Sequence, residues 1–254
     1  MDAPPDGPLM EALSEFVDHI TDPASWWGGR GLIHRTIEHL RVSLVSVAVA
    51  IAIAVPAAMA LGHVRRGGLL ANAVVNIGRA VPSFAILALL FPISLRWGLG
   101  LGFWPTFGAM VLLAIPPMFT NAYTGIRGVE PSTVEAARAM GMRSTEVLWK
   151  VEAPSALPLI ITGVSVAAVQ VVATATLGGF FGLNSLGLSI FEGFSQSDDG
   201  KLISAAVVVA ILAILTQAGF AYFRRRATPW LGHRRPSVAP AEDVELHAVT
   251  TVPT

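Results

Sequence analysis

Long apolar runs separated by short polar stretches set the pattern of this chain. Runs at about 42–62, 69–92, 104–126, 156–181 and 202–223 are each near the roughly 20 residues that cross about 30 Å of hydrocarbon. They predict about five membrane spans and an all-α polytopic fold, because a helix satisfies its own backbone polar groups in lipid. Ahead of the first run, Leu9, Leu13, Phe16, Val17 and Ile20 recur at helical spacing, with Glu11, Glu15 and Asp18 between them. That stretch is too short to span. It reads as a surface amphipathic helix or as a flexible leader with chance periodicity, and Trp26 and Trp27 suit the headgroup level. Residues 1–8 and the Pro- and Ala-rich tail after Thr228 read as disordered. The expected division is an N-terminal segment 1–35 with the short helix, a membrane domain 36–226 and a tail 227–254.

Composition sharpens this picture. Hydrophobic residues make up 53% of the 254 and charged residues 13%, with a mean hydropathy of +0.62; soluble domains carry about 25% charged residues. Cysteine is absent, which excludes disulfides, thiol catalysis and cysteine metal sites. The acidic start lacks a basic stretch leading into an apolar run, so no cleavable signal peptide is expected. Lys plus Arg equals Asp plus Glu at 17 each, so only their distribution informs. Placing 63–68, 127–155 and the tail on one side gathers 11 of the 17 basic residues there. Arg30, Arg35, Arg41, Arg96 and Lys201 remain on the other side, and Arg79 falls within a span. The positive-inside rule then puts the N-terminus outside and the C-terminus inside, although the flanks of the first span run slightly against it.

The polar stretch 127–155 has strong local grammar. Ser132-Thr133-Val134-Glu135 has the form of a capping box that starts a helix. Gly141 suits a left-handed stop after it. Ser144 is positioned to cap a second short helix through Glu146, Val147, Leu148 and Val151, ended by Pro154. Small Ala136 and Ala137 permit close approach of another backbone. A charged helix-turn-helix between two spans, with Arg138, Arg143 and Lys150, fits docking onto a soluble partner at the membrane face.

The spans carry breaks of their own. Pro82, Pro116 and Pro117 remove backbone donors and invite kinks, which lipid tolerates only where protein or a wet cavity satisfies the freed groups. Pathway lining and ordinary small-residue packing both account for the set. Ser83, Asn121 and Tyr123 lie beside these prolines. Thr174, Thr176, Phe180 and Phe181 close the fourth run, as a gate or weak cation-contact surface, or as an interfacial aromatic belt. Arg79 reads as structural, snorkelling to lipid phosphate or pairing between helices. No G-x4-G-K-[ST] phosphate loop and no His metal cluster occur, so the chain is expected to hydrolyse no ATP. Every Asp and Glu falls outside the five predicted spans, and no buried carboxylate is expected in the membrane domain. That counts against a proton-coupled secondary transporter.

The spacing Glu135-Ala136-Ala137-x3-Gly141-x9-Val151-x-Ala153-Pro154 resembles the E-A-A loop of ABC importer permeases, with Val151 and Ala153 in place of Ile and Leu. Ala80-Val81-Pro82-Ser83-Phe84-Ala85, the Ile115–Ile126 stretch with Pro116-Pro117 and Asn121-Ala122-Tyr123-Thr124-Gly125, and Thr174-Ala175-Thr176-Leu177 are similar to segments of the osmoprotectant branch. Together they cover about 35–225. Two departures bear on substrate identity: Thr120 stands where that branch commonly has Arg, and Gly182-Leu183-Asn184-Ser185-Leu186-Gly187 replaces G-A-G-G-L-G. The resemblance implies a type I permease fold and uptake of glycine betaine, carnitine or choline. It implies a pair of ATP-binding subunits on the loops, which use ATP and Mg while this chain binds no cofactor. It also implies a second permease subunit (a copy or a paralogue) and a separate extracellular binding protein. Lipid is the remaining partner, and nucleic acid is not one. Competing readings are a permease for another solute such as methionine, an ATP-independent transporter or channel, and a membrane scaffold.

Overall fold

The computed structural model describes residues 7–65, 68, 73 and 82–229. In chain order these form α1 (Gly7–Thr21), α2 (Pro23–Trp26), α3 (Leu32–His63), α4 (Ser83–Arg96), α5 (Phe103–Arg127), α6 (Pro131–Ala139) and α7 (Ser144–Val147). A π turn (Leu148–Glu152), α8 (Ala153–Thr174), a 3-10 turn (Ala175–Phe181), α9 (Leu186–Gln196) and α10 (Asp199–Ala227) complete them. Four helical runs are long and apolar enough to cross a membrane: Leu32–His63, Phe103–Arg127, Ser144–Phe181 and Asp199–Ala227. α4 is a shorter apolar helix and forms the described part of the expected second span. Asn72, Asn76, Arg79 and the tail from 230 onward lie outside the described residues.

Packing between the long helices rests on small side chains. Ala50, Ala54 and Ala58 follow each other at i+4 on α3 and enter one core with Met110, Ala114 and Met118 of α5. Ala167, Ala168 and Val171 of α8 close the same core. Lipid gives no hydrophobic drive for helices to associate, so close backbone approach over Ala and Gly supplies van der Waals contact instead. Outside this core, Leu44, Ile53, Leu112, Ile211, Ile214 and Leu215 stay exposed, as a lipid-facing belt requires.

Contacts fix the directions. Gly62 of α3 meets Ile126 of α5, and Arg41 lies over the Phe103 ring, so α3 and α5 run parallel. α8 runs against them, with Ala156 at Gly125 and the Val172 carbonyl bonded to His39. α10 runs against α8, its Gln217 facing Ser165 and its Arg224 facing Thr162. The C-termini of α3 and α5, helices α6 and α7, and the Arg224–Arg226 end of α10 therefore share one end of the bundle.

Three elements differ from the sequence reading. The first spanning helix, α3, begins at Leu32, ten residues before the expected span, and extends about 48 Å at 1.5 Å per residue. Arg35 is thereby inside a helix and 1% exposed. Its guanidinium donates to Ser189 Oγ (2.7 Å) and to Glu192 Oε2 (2.9 Å), and Glu192 also takes Lys201 Nζ at 2.7 Å. Secondly, Pro154 does not end a helix. The Ala153 N–H bonds back five residues to Leu148, and this π turn leaves Pro154 in the first turn of α8, where its missing donor costs no bond. Thirdly, the expected loop 182–201 contains α9. Its glycine serves packing: a Cβ on Gly187 would lie 1.8 Å from the Thr176 carbonyl oxygen.

Both sides of that Gly187 contact are backbone, so no rotamer change relieves it. Gly187→Ala is expected to destabilise the fold by at least about 1–3 kcal/mol. Thermal unfolding of the detergent-solubilised protein measures it, and an unshifted midpoint would show that the crossing yields freely.

Candidate functional site: a docking segment and an aromatic mouth

The segment 128–155 folds on an apolar core of its own. Val129, Val134, Ala137 and Val147 are buried together, with Met142 and Val151 packed against them. Ser132, Glu135 and Ala136 face solvent and Ala137 faces the core, so the two alanines do not form one flat surface as their adjacency implied. Met140 and Trp149 add exposed apolar side chains that the sequence reading passed over. Only their exposure marks them.

Gly141 behaves as expected. Its φ is +84°, and its N–H donates to the Arg138 carbonyl while Met142 N–H reaches back to Ala137. No atom lies within 4 Å of a Cβ built there, so the demand is conformational.

Both predicted caps are corrected. Glu130 is the N-cap of α6, with no side-chain bond, and Pro131 takes the first helical position, where its fixed φ and missing donor are favourable. Ser132 therefore sits inside the helix. Ser144 is likewise inside α7; the Arg143 N–H donates instead to Glu146 Oε2 (2.9 Å). That bond, followed by Lys150 at 3.0 Å, holds the Glu146 carboxyl below its ordinary range.

Ser144 is occupied elsewhere. Its Oγ lies 2.6 Å from His63 Nε2, and His63 Nδ1 lies 2.5 Å from Glu152 Oε2. Glu152 is 2% exposed, so the expectation that no carboxylate is buried fails here. The imidazole makes that burial tolerable by giving the carboxylate a hydrogen-bonded partner. Glu192 is the second exception, half-buried against Arg35 and Lys201. Burial pushes its carboxyl up, but hydrogen bonds from Lys201 and Arg35 outweigh this and hold it below the ordinary range. Arg35, His39 and Ser43, spaced four residues apart, form a buried polar stripe on α3; this spacing was the readable signal for that site.

The pathway candidates fall into two groups. Pro116, Pro117, Asn121 and Tyr123 lie on α5. Thr120 Oγ1 and Asn121 Nδ2 donate to the Pro116 and Pro117 carbonyls (both 2.8 Å), and Tyr123 stacks on Phe119. Gly163 of α8 admits Asn121, whose Cβ would lie 2.6 Å from a side chain there. At the other end of α8, Thr174 precedes the 3-10 turn and Thr176 Oγ1 donates to the Ala173 carbonyl. Pro82 is the N-cap of α4, so it starts that helix rather than kinking it, and Ser83 is its first residue. This brings Phe84 to 5.6 Å from Phe180 and 5.4 Å from Phe181. Phe91 and Phe191 complete a five-ring cluster.

Comparison with known proteins agrees with this geometry. Residues 50–229 match the family described as binding-protein-dependent transport system inner membrane component. The glycine betaine/carnitine/choline transport system permease protein of Bacillus subtilis (strain 168) is 36% identical over 201 residues, 79% of this chain and 90% of that protein. A choline transport system permease protein of the same organism is 35% identical with the same coverage. A carnitine transport permease protein of Listeria monocytogenes is 33% identical, again over 79% of this chain and 90% of the relative. Among solved structures, an inward-facing MetNI methionine ABC transporter aligns with a TM-score of 0.66 and 25% identity, covering 78% of this chain and 96% of that one. The chain therefore belongs to the inner-membrane components of binding-protein-dependent transport systems and has the fold of a type I ABC importer permease.

Proposed function

We propose that this chain is the permease subunit of an ABC importer for compatible solutes of the glycine betaine, choline and carnitine class. The observation that carries the reading is the self-cored docking segment held against the ends of α3, α5 and α8. A rigid piece of that kind passes force from a soluble motor to the spans. A separate pair of ATPase subunits supplies ATP and Mg, consistent with the missing phosphate loop, so the chain is itself no enzyme. A separate binding protein delivers solute. A second permease subunit completes the pathway, and the sparsely buried flank of α10 offers it apolar surface.

The N-terminus lies outside and the C-terminus in the cytoplasm of a bacterial plasma membrane. Support comes from charge: Arg127, Arg138, Arg143, Lys150 and Arg224–Arg226 gather at the docking end. Reporter fusions within 128–150 and after Arg226 are expected to read cytoplasmic, and an external reading at either position would reverse the topology.

Solute passage uses weak sites. A quaternary ammonium group donates no hydrogen bond from nitrogen and carries a spread charge, which aromatic faces attract without trapping. The rings around Phe180, with Thr174 and Thr176 nearby, suit such a mouth. The names of the relatives carry the choice of solute, and the methionine transporter's likeness speaks for the fold. Cells carrying the full transporter are expected to gain uptake of at least one of glycine betaine, choline and carnitine, and to grow better in high salt. Radiolabelled uptake with and without this chain measures it. Import of methionine with no quaternary ammonium uptake would remove the osmoprotectant assignment.

Coupling depends on the turn at Gly141. Valine at φ +84° carries about 1–3 kcal/mol of backbone strain, whereas Asn tolerates that region better. Gly141→Val is expected to lose most uptake at unchanged membrane abundance, and Gly141→Asn to keep most of it. Full uptake and full ATPase binding in Gly141→Val would refute the coupling role.

A further inference from the structure

The contact between α3 and the docking segment is more specific than helix packing requires. His63 is the last residue of α3 and 12% exposed at its side chain. Its ring holds two groups at once, Ser144 Oγ at Nε2 (2.6 Å) and Glu152 Oε2 at Nδ1 (2.5 Å). Those groups bracket a segment that contains one structural weak point. Ser144 opens α7, one turn ahead of the π turn Leu148–Glu152 with its i→i+5 pattern, and Glu152 is the last residue of that turn. A π turn is a rare, loosely bonded interruption of a helix. Unbraced, it is where a tilt of the docking segment would be absorbed before reaching α8.

Chemistry fits a brace. Nδ1–H donates to the buried carboxylate, and the Ser144 hydroxyl rotates to match whichever role Nε2 takes. Glu152 is 2% exposed, so breaking the contact takes the hydrogen-bonded partner from a buried carboxylate. Apolar contacts back it up: Met59 of α3, Ile126 of α5 and Ala156 of α8 are buried together, with Leu148 and Ala153 against them. Two residues past the end of α3, the Arg65 backbone carbonyl accepts from Arg127 Nη1 (3.0 Å), which ties the end of α5 to the same place.

We propose that His63 is a positioning residue for transport: with Glu152 and Ser144 it clamps the start of α7 and the end of the π turn to α3, so that movement of the docking segment is delivered to α3 and α8 together. This rests on the permease reading above.

The test uses the whole transporter, with its ATPase, second permease and binding protein, in proteoliposomes. Solute imported per ATP hydrolysed is the readout, because a merely structural defect lowers both together. His63→Ala and Glu152→Gln are expected to lower that ratio about fivefold or more while ATP turnover persists. Ser144→Ala, at an exposed hydroxyl, is expected to lower it less, and it decides the matter if the other two reduce membrane abundance. The natural chain has no cysteine, so His63→Cys with Ser144→Cys offers a unique thiol pair. Bridging that pair with a short bifunctional thiol reagent is expected to raise the ratio again. An unchanged ratio in the single variants, or a bridged pair that stays uncoupled, would overturn the clamp. Absence of ATP-driven uptake in the unaltered transporter would strike the permease reading instead.

Discussion

Close approach of backbones over alanine and glycine is the constraint on which the rest of this molecule depends. Ala50, Ala54 and Ala58 on α3, Ala114 on α5 and Ala167 and Ala168 on α8 hold three helices at a separation that leucine would forbid. Gly125 against Ala156, and Gly163 against Asn121, extend the seam along α5 and α8. Contacts this tight transmit displacement instead of absorbing it. α10 lacks such a seam, with only Gly200, Ser204 and Ala205 buried. The rigid part of the bundle is thus α3, α5 and α8, and these are the helices that meet the docking segment.

The run from Ser144 to Phe181 joins both functional ends in one continuous path. It starts beside the docking core, changes hydrogen-bond pattern at the π turn, passes Gly163 and changes again at the 3-10 turn beside the aromatic rings. Irregular helix geometry at depth is tolerated where neighbouring protein satisfies the freed groups. Gly179 and Gly187 let α9 press against the 3-10 turn and cover it, and Gly178 admits Thr106 of α5 to the same turn. Both irregular turns are therefore supported from outside the run, one by His63 and one by α9.

Much of this was legible from residue spacing. The two short helices of 128–155, the left-handed turn at Gly141 and the third and fifth spans followed from local rules that tertiary contacts did not override. The caps were misread because Pro131 claimed the first helical position ahead of Ser132, and because His63, eighty-one residues away, claimed the Ser144 hydroxyl. α9 was hidden because its glycines and serines look like a loop when their packing partner, Thr176, is unknown. Glu152 looked like an ordinary loop carboxylate for the same reason: its partner is distant in sequence. What spacing could not reveal was pairing across the fold, and the His63–Glu152 and Arg35–Glu192 pairs are of that kind.

Those two carboxylates also bear on the proposed passage of a cationic solute. A free acid in the path of a cationic solute would bind it too well, and release would become slow. Glu152 is committed to His63 at the docking end. Glu192 is committed to Arg35 and Lys201 beside α9, and its depressed pKa keeps it ionised and paired. The expectation of a carboxylate-free interior was wrong as stated, and each of these acids has a cation or imidazole of its own. The Phe180 rings form an aromatic surface at the end of the 3-10 turn that Thr174 precedes, and on the proposed function such a surface would attract a spread positive charge weakly enough to release it.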